Sequence, residues 1–291
     1  MDRLLECALF LSGLAFGSFL NVCISRIPRD ESVVHPGSHC RACGVPIRWR
    51  DNIPLLSWLL LHGRCRGCRA HISLRYPAVE LLTALLFLGC YLSFGWTAVT
   101  LKFCIFAFLL VGLIFMDAET GLLPREFTYS GIVIGLFFAW FAATDSSATA
   151  LLLRVFGRRP LGIHELSMLD AILGGLLGAG FFFVAWGLYY LIRKKHGLGF
   201  GDIALMGMSG AFLGLKLVLL VIFCAPLLGV LYALFLLLTE ALTSKSGQGG
   251  LRGRETAFLS RELPFGVFLG ACSLAAIFFG EAVWSWYLRM I

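Results

Sequence analysis

Long runs of apolar residues alternate with short polar segments along almost the whole chain. A membrane-spanning helix needs about 20 mostly apolar residues in a row. The segments that come close to this requirement are residues 4–25, 77–95, 97–116, 127–144, 168–192, 203–215, 217–239 and 264–288. The sixth segment is short and rich in glycine, so seven spans is the alternative if it does not cross. The pattern predicts an all-α polytopic membrane protein with about eight spans, embedded in a lipid bilayer.

The composition excludes a soluble fold. Hydrophobic residues make up 59% of the 291 residues and charged residues 14%, with a mean hydropathy of +0.86. A soluble domain has about 25% charged residues, which cover its core with polar surface. The first apolar run is expected to be a retained anchor, because Arg26 and Arg29 follow it, whereas a secretory signal has its positive charge in front.

Lysine and arginine residues concentrate in alternate segments between the predicted spans. If the N-terminus is outside, segments 26–75, 117–126, 193–202 and 240–263 carry nine, one, three and four of them, which is 17 of 24. The positive-inside rule therefore places these segments in the cytoplasm. Segment 145–166 does not fit this orientation, because it would lie outside the cytoplasm and yet contains Arg154, Arg158 and Arg159. Its apolar pattern indicates a helix that lies on the membrane surface. The clustered charge is an orientation signal and predicts no nucleic-acid partner.

Four cysteines form two closely spaced pairs, Cys40-x-x-Cys43 and Cys65-x-x-Cys68. Two such pairs place four thiolates around one metal ion, which suits tetrahedral Zn²⁺. Four protein ligands leave no position for water, so the zinc is expected to be structural. Two disulfides are the alternative, although a cytoplasmic loop keeps its thiols reduced. The other six cysteines lie in apolar runs and are interpreted as small core residues.

The local sequence around these cysteines supports a metal site. Gly44 and Gly67 are predicted to supply the tight turns at these pairs. Positive side chains nearby would favour thiolates over thiols. These are Arg41, Arg64, Arg66 and Arg69.

Two aspartates stand at the borders of predicted spans, where ionisable residues are rare and usually functional. Asp117 follows an apolar run, and Asp202 follows Gly199 and Gly201, which would let a substrate backbone come close. Two adjacent carboxyl groups cannot both ionise, so one can take a proton from water while the other donates to a substrate carbonyl. A structural role, such as a helix cap, and ion or proton transport are the alternatives.

Other acidic residues are interpreted as structural. Ser167 and Asp170 have the spacing of a capping box at the start of a helix. Glu80 follows Pro77 by three residues and fits the first turn of a helix, beside its dipole.

Several of these segments resemble a known family. Gly199-Phe200-Gly201-Asp202 resembles the G-x-G-D motif of membrane aspartyl proteases. Further segments narrow the resemblance to the bifunctional type IV prepilin peptidases. The first is Gly17-Ser18-Phe19-Leu20-Asn21-Val22 followed by Arg26-Ile27-Pro28, and the second is the cysteine pairs leading into Arg75-Tyr76-Pro77-Ala78-Val79-Glu80-Leu81-Leu82. The third is Asp117 together with Pro124, and the fourth is Leu263-Pro264-Phe265-Gly266.

The resemblance implies cleavage of the basic leader of prepilins and pseudopilins after a glycine, at the cytoplasmic face of the bacterial inner membrane. It also implies methylation of the new N-terminal residue with S-adenosylmethionine, and Asp117 and Asp202 as the catalytic pair. Residues 1–25 would be the first transmembrane helix, 26–76 the zinc-binding, methylation-associated loop, and 77–291 the protease core. No residue is assigned to the methyl donor, and no oligomeric state is predicted.

Two features depart from the pattern of that family. Ala204 stands two residues after the second aspartate, where the family often has lysine, and segment 145–166 is longer than usual. Neither feature involves the two aspartates, so both features bear on how the protein contacts its substrate.

Overall fold

The computed structural model describes residues 2–157, 161–194, 199–243 and 264–290, and these are almost entirely helical. Their α-helices are α1 Asp2–Arg26, α2 Leu56–Leu60, α3 Arg75–Phe94, α4 Ala98–Thr120, α5 Arg125–Phe141, α6 Ser147–Val155, α7 Ile163–Arg193, α8 Phe200–Thr243 and α9 Phe265–Met290. Six helices in the described ranges, α1, α3, α4, α7, α8 and α9, are long and apolar enough to cross a membrane. The prediction of an all-α polytopic membrane protein is confirmed.

The predicted spans correspond closely to these helices. Segment 127–144 matches α5, which has 17 residues, and segments 203–215 and 217–239 both lie within α8, which has 44. The count of eight spans stays a prediction, because six helices meet the length and hydropathy requirement. Of the predicted loops, residues 158–160, which include Arg158 and Arg159, residues 195–198 and residues 244–263 lie outside the described residues. Helix α6 forms within segment 145–166.

Helix α8 folds back on itself at Gly214. This residue has φ 79° and ψ 179°, a backbone conformation essentially restricted to glycine. On α7, a Cβ added to Gly178 would lie against the carbonyl of Met206 and 3.1 Å from a methyl group of Val218. A straight helix would separate these two residues by about 18 Å. The chain therefore reverses, and α8 consists of a short arm (200–213) and a long arm (215–243).

The core is built around α4. Phe106, Leu110 and Leu113 on this helix are fully buried, and the Phe106 ring stacks on Phe212 of the short arm with centroids 4.4 Å apart. Small residues let neighbouring helices approach closely, as is common in membranes. For example, a Cβ on Gly13 of α1 would be 2.6 Å from the Ala84 Cα of α3. The central position of α4 fixes the location of Asp117 in its last turn.

The helices meet at two polar ends of the bundle. At one end the last turn of α4 contacts the first turns of α3 and α9, and residues 27–74 pack there too; we call this the loop end. At the other end, which we call the opposite end, α6, α7 and α9 approach the bend in α8. The two ends carry different sets of charged residues.

Candidate active site and cysteine cluster

Asp117 is held at the junction of α4 and α9. Its side chain is 6% exposed, and its Oδ2 accepts a hydrogen bond of 2.9 Å from the amide of Val267 in the first turn of α9. A helix N-terminus offers unpaired amides and a partial positive charge to an anion. A Cβ on Gly266 would lie 2.8 Å from the same oxygen, so the absence of a side chain there lets α9 approach the carboxyl group.

Asp202 lies at the start of α8 and is 8% exposed. Its Oδ2 accepts a hydrogen bond of 3.3 Å from the amide of Gly199, just before the helix. A Cβ on Gly201 would be 2.7 Å from the Cβ of Leu123, in the segment that joins α4 to α5. The two glycines of the motif therefore have separate local roles: one donates to the carboxyl group and the other admits a neighbouring chain segment.

The structure brings the two aspartates into one site. Leu123 packs against both Gly201 and Gly266, which adjoin Asp202 and Asp117, and the two carboxyl groups interact electrostatically. Within the described ranges, neither aspartate forms a salt bridge. A pair of buried carboxyl groups without a cation can share one proton, which leaves one acid and one base in the same site. This arrangement suits general acid–base hydrolysis.

The four predicted cysteine ligands come together in the loop between α1 and α3. Their sulfur atoms all lie within 4.8 Å of one another, and the Cys40 and Cys68 sulfurs are 3.8 Å apart. Zn–S bonds of about 2.3 Å in a tetrahedron place sulfurs about 3.8 Å apart. All ten cysteines of the chain fall in the described residues, and all are free thiols. The donor set and its spacing fit a zinc ion.

The two cysteine pairs form equivalent turns. The amide of Cys40 donates to the carbonyl of Val45, and the amide of Cys65 donates to that of Ala70 in the same way. In the first turn, Gly44 has a positive φ of +70°. In the second turn, the matching residue is Arg69, with φ +62°, and not Gly67. Gly67 lies in the second turn but does not supply its left-handed residue, which comes four positions after the first cysteine of each pair.

The thiolate form of Cys40 is favoured mainly by the backbone. The amides of Cys43 and Ala42 lower the pKa of Cys40 to about 6. The predicted arginines have other partners: Arg66 pairs with Asp51 at 2.7 Å, and Arg41 donates to the carbonyl of Ser25. These two side chains therefore hold the loop together and anchor it to α1.

Two carboxylates near the start of α3 and the end of α4 fix the loop on the bundle. Glu80 is buried and accepts a hydrogen bond of 2.8 Å from the amide of Leu55. It lies beyond the first turn of α3, which begins at Arg75, so its interpretation as a first-turn acid was wrong. Glu119, two residues after Asp117, accepts from the Arg75 guanidinium through both oxygens, at 2.7 and 2.5 Å. The loop therefore sits next to the aspartate pair.

At the opposite end, a polar network forms that no local sequence pattern predicts. Lys216 donates to Asp145 at 2.8 Å and to Glu281 at 2.5 Å, from α8 to the α5–α6 connection and α9. Asp170 accepts from Thr149 at 2.5 Å and from the amide of Leu215, beside the bend.

The capping box predicted at Ser167 and Asp170 was wrong. Helix α7 begins earlier, at Ile163, where Glu165 accepts a hydrogen bond from the amide of Gly162.

Together, the fold and site define a polytopic helical membrane protein with a buried aspartate pair beside a four-cysteine loop. Residues 103–234 match the Type IV leader peptidase family, and residues 11–94 match the Bacterial Peptidase A24 N-terminal domain. The first match contains both aspartates, and the second contains all four clustered cysteines.

Curated relatives agree along most of the chain. A protein named prepilin leader peptidase/N-methyltransferase from Aeromonas salmonicida (strain A449) is 34% identical over 97% of this chain and 93% of its own length. Proteins of the same name from Myxococcus xanthus and Pseudomonas aeruginosa are 38% and 29% identical, over 85% and 97% of this chain. The alignment spans 66% of the Myxococcus protein. The chain belongs to the type IV leader peptidase family. No solved structure matches it.

Proposed function

We propose that this protein is a bifunctional prepilin leader peptidase and N-methyltransferase of the bacterial inner membrane. It removes the basic leader of prepilins and pseudopilins after a glycine, and then methylates the new N-terminal residue with S-adenosylmethionine. The observation that carries the proposal is the pair of buried aspartates, Asp117 and Asp202, placed together at one end of the bundle without a salt bridge in the described residues. The names of the relatives support both activities.

In the proposed cleavage, Asp117 and Asp202 divide the acid and base roles. The ionised carboxylate takes a proton from a water molecule, which attacks the scissile carbonyl carbon. The protonated carboxyl group donates its proton to the carbonyl oxygen as the tetrahedral intermediate forms. Collapse of the intermediate breaks the C–N bond, and the leaving amine receives a proton from the pair.

The bilayer would present the substrate to this pair. The loop end holds residues 26–75, which alone carry nine of the 24 lysine and arginine residues, so the positive-inside rule assigns it to the cytoplasm. An apolar prepilin helix in the membrane, with its basic leader in the cytoplasm, would then have its scissile bond at the border where the aspartates lie. With this orientation, α5 and both arms of α8 also cross, which gives eight spans.

The four cysteines, Cys40, Cys43, Cys65 and Cys68, would hold a structural Zn²⁺ that fixes the fold of the loop. In this division of the chain, residues 26–76 support methylation and 77–291 form the protease core, after the first span at 1–25. In methyl transfer, the new N-terminal amine attacks the sulfonium methyl carbon, the C–S bond breaks, and the amine loses a proton to solvent.

The proposal is tested with purified protein, a prepilin and S-adenosylmethionine. Mass spectrometry reports loss of the leader and gain of a methyl group separately, in reactions with and without the methyl donor. We expect both changes with the donor and leader loss alone without it. An unchanged prepilin mass with folded, zinc-loaded protein would refute the peptidase. Leader loss without methyl gain would refute the second activity.

A further inference from the structure

A cavity of about 680 Å³ lies between the cysteine loop and the membrane helices. Its walls come from the end of α1, the loop and the start of α3, and it reaches Glu119 at the end of α4. Ligand pockets typically have volumes of roughly 300–1,000 Å³, so this space can enclose a nucleoside-sized molecule. Two of the sequence segments noted above meet here, one containing Asn21 and the other Arg75.

Two polar atoms in the cavity walls lack a hydrogen-bond partner. They are Oδ1 of Asn21, an acceptor, and Nε of Arg75, a donor. Asn21 is 2% exposed, and its Nδ2 donates to the carbonyl of Tyr76 at 3.0 Å, which fixes the orientation of the side chain. Buried polar groups are almost always paired in native structures, so these two atoms call for a partner such as a ligand or an ordered water molecule.

Several arginines in the walls already have partners. Arg66 pairs with Asp51, Arg41 donates to the Ser25 carbonyl, and Arg26 donates to the carbonyls of Ser32 and Gly37. The terminal nitrogen of Arg75 is likewise used by Glu119. The two ion pairs cancel positive charge, and the contacts with carbonyls occupy N–H donors that a phosphate ligand would need. The unpaired acceptor and donor instead call for a ligand that carries a donor and an acceptor close together.

We infer that this cavity binds the methyl donor, S-adenosylmethionine, an assignment that rests on the proposed methyltransferase activity. The amino-acid end of the donor carries an ammonium and a carboxylate on one carbon. The ammonium donates to Asn21 Oδ1, and the carboxylate accepts from Arg75 Nε. Asn21 and Arg75 therefore act as the recognition pair for the amino-acid end, and the rest of the cavity encloses the adenosine.

The location of this site explains how one chain can perform two reactions in sequence. Arg75 is joined through both oxygens of Glu119 to the helix that carries Asp117 two residues earlier. The cysteine loop forms another wall, with Cys40 and Cys65 among the lining residues. An amine released at the aspartates therefore emerges beside the methyl donor, and the metal site maintains the wall that encloses the donor.

The inference is tested by direct binding to full-length protein in lipid nanodiscs. Equilibrium dialysis with labelled S-adenosylmethionine measures Kd for the wild type, Asn21→Ala, Arg75→Lys and the control Arg289→Lys. The lysine variant keeps a positive charge for Glu119 but removes Nε. We expect at least tenfold weaker binding for the first two variants, because each loses a charge-assisted hydrogen bond, and an unchanged Kd for the control. Zinc content verifies that each variant retains a folded loop.

A second measurement covers the case in which a variant fails to fold. An azido derivative of S-adenosylmethionine is photo-crosslinked to the wild type, and the labelled peptides are mapped. Labels within residues 18–76 or at Glu119 support the site, whereas labels confined to α7 or α8 overturn it. Unchanged affinity in both folded variants also overturns it. Prepilin cleavage and methylation by the wild type, recorded with the same preparation, separate failure of this assignment from failure of the proposed function.

Discussion

Both ends of the bundle place carboxyl groups where helices meet, but these groups have different partners. At the opposite end, Lys216 lies between Asp145 and Glu281, and Asp170 accepts from Thr149 and interacts electrostatically with buried Lys102. At the loop end, Asp117 and Asp202 have backbone amides and each other, and no salt bridge within the described ranges. Asp145 and Asp170 therefore each interact with a lysine, whereas Asp117 and Asp202 form no salt bridge with one in the described ranges.

This difference distinguishes a structural network from a reactive site. Paired and hydrogen-bonded charges lock the packing of the helices and have no free proton to exchange. Carboxyl groups kept in a low-dielectric site without a cation are unfavourable for stability, and such groups concentrate at functional sites. We therefore expect substitutions at the loop end to change chemistry and substitutions at the opposite end to change stability.

The largest expected effect follows from removing one acid–base group. Asp202→Asn keeps the shape and the hydrogen-bond acceptor for Gly199 but cannot take or release a proton. General acid–base groups contribute about 10²–10⁴-fold to rates, so prepilin cleavage should fall at least about 100-fold. Single-turnover cleavage followed by mass spectrometry measures the rate.

Asp145→Asn is the matched control for this prediction, because it makes the same chemical change at the opposite end. Its cleavage rate should stay within about threefold of wild type, since Asp145 contacts Lys216 and Ser147 far from the aspartate pair. Equal losses in the two variants would show that the two ends do not differ in the way proposed.

The second-largest expected effect concerns the cysteine cluster and separates methylation from cleavage. Cys40→Ser combined with Cys65→Ser removes one sulfur from each pair, and we expect loss of bound zinc and at least about tenfold weaker methylation, because ligand loss unfolds such a site. Cleavage should fall less, because both aspartates lie on membrane helices. Metal analysis and the two mass-spectrometric readouts measure this. The control Cys7→Ser, outside the cluster, should change neither the bound zinc nor the two activities. A greater loss of cleavage than of methylation in the double variant would contradict the proposed division of the chain.

At the opposite end, the sharpest test of a structural role is Gly214→Ala. The backbone conformation there is essentially restricted to glycine, and a Cβ would collide with the Asp170 carboxyl group. We expect destabilisation of about 1–3 kcal/mol, or more, measured by thermal unfolding in detergent. Gly180→Ala in α7 is the control, because no atom lies near its Cβ position, and it should be neutral or slightly stabilising. If both variants had the same melting temperature, the bend at Gly214 would not need a glycine for stability, and its proposed structural role would be refuted.

The smallest effect depends on pH. Burial alone would raise the pKa of Asp145, but hydrogen bonds from Lys216 and Ser147 outweigh it and hold that pKa below its usual value. Its stabilisation is therefore present above the unfolded pKa of about 3.9 and lost as the pH falls through the folded value. Asp145→Asn should lower the unfolding free energy by no more than about 1 kcal/mol at pH 7, because the Asp145 side chain is about half exposed.

The pH dependence of that difference is the measurement. Unfolding of Asp145→Asn and wild type is compared at pH 7 and at about pH 3, below the unfolded pKa. The difference should shrink at the lower pH. A difference that grows as the pH falls has the wrong sign and would show that the Lys216 pair does not stabilise the fold.

Local signals in the sequence were sufficient for the helices and for the candidate residues. Apolar runs give the spans, because a bilayer leaves few other solutions for a chain of this composition. Cys40, Cys43, Cys65 and Cys68 are recognisable from spacing, and the structure brings them together. Asp117 and Asp202 stand out because carboxyl groups are rare at membrane borders.

Features that depend on distant residues could not be predicted. Lys216 and Glu281 are 65 positions apart, so nothing in either local sequence indicates their pairing. The Ser167–Asp170 spacing suggested a cap, but tertiary contacts with Thr149 and Leu215 determine the role of Asp170. The cavity could not be predicted for the same reason, because its unpaired atoms belong to Asn21 and Arg75, which lie on different helices.

The central claim is that Asp117 and Asp202 act as one catalytic unit. A double-mutant cycle tests it directly, by comparing prepilin cleavage rates of Asp117→Asn, Asp202→Asn and the double variant in the same nanodiscs. Groups that act as a unit are strongly non-additive, so the double variant should cleave about as slowly as either single variant. Rate losses that multiply in the double variant, or full cleavage by either single variant, would contradict the account.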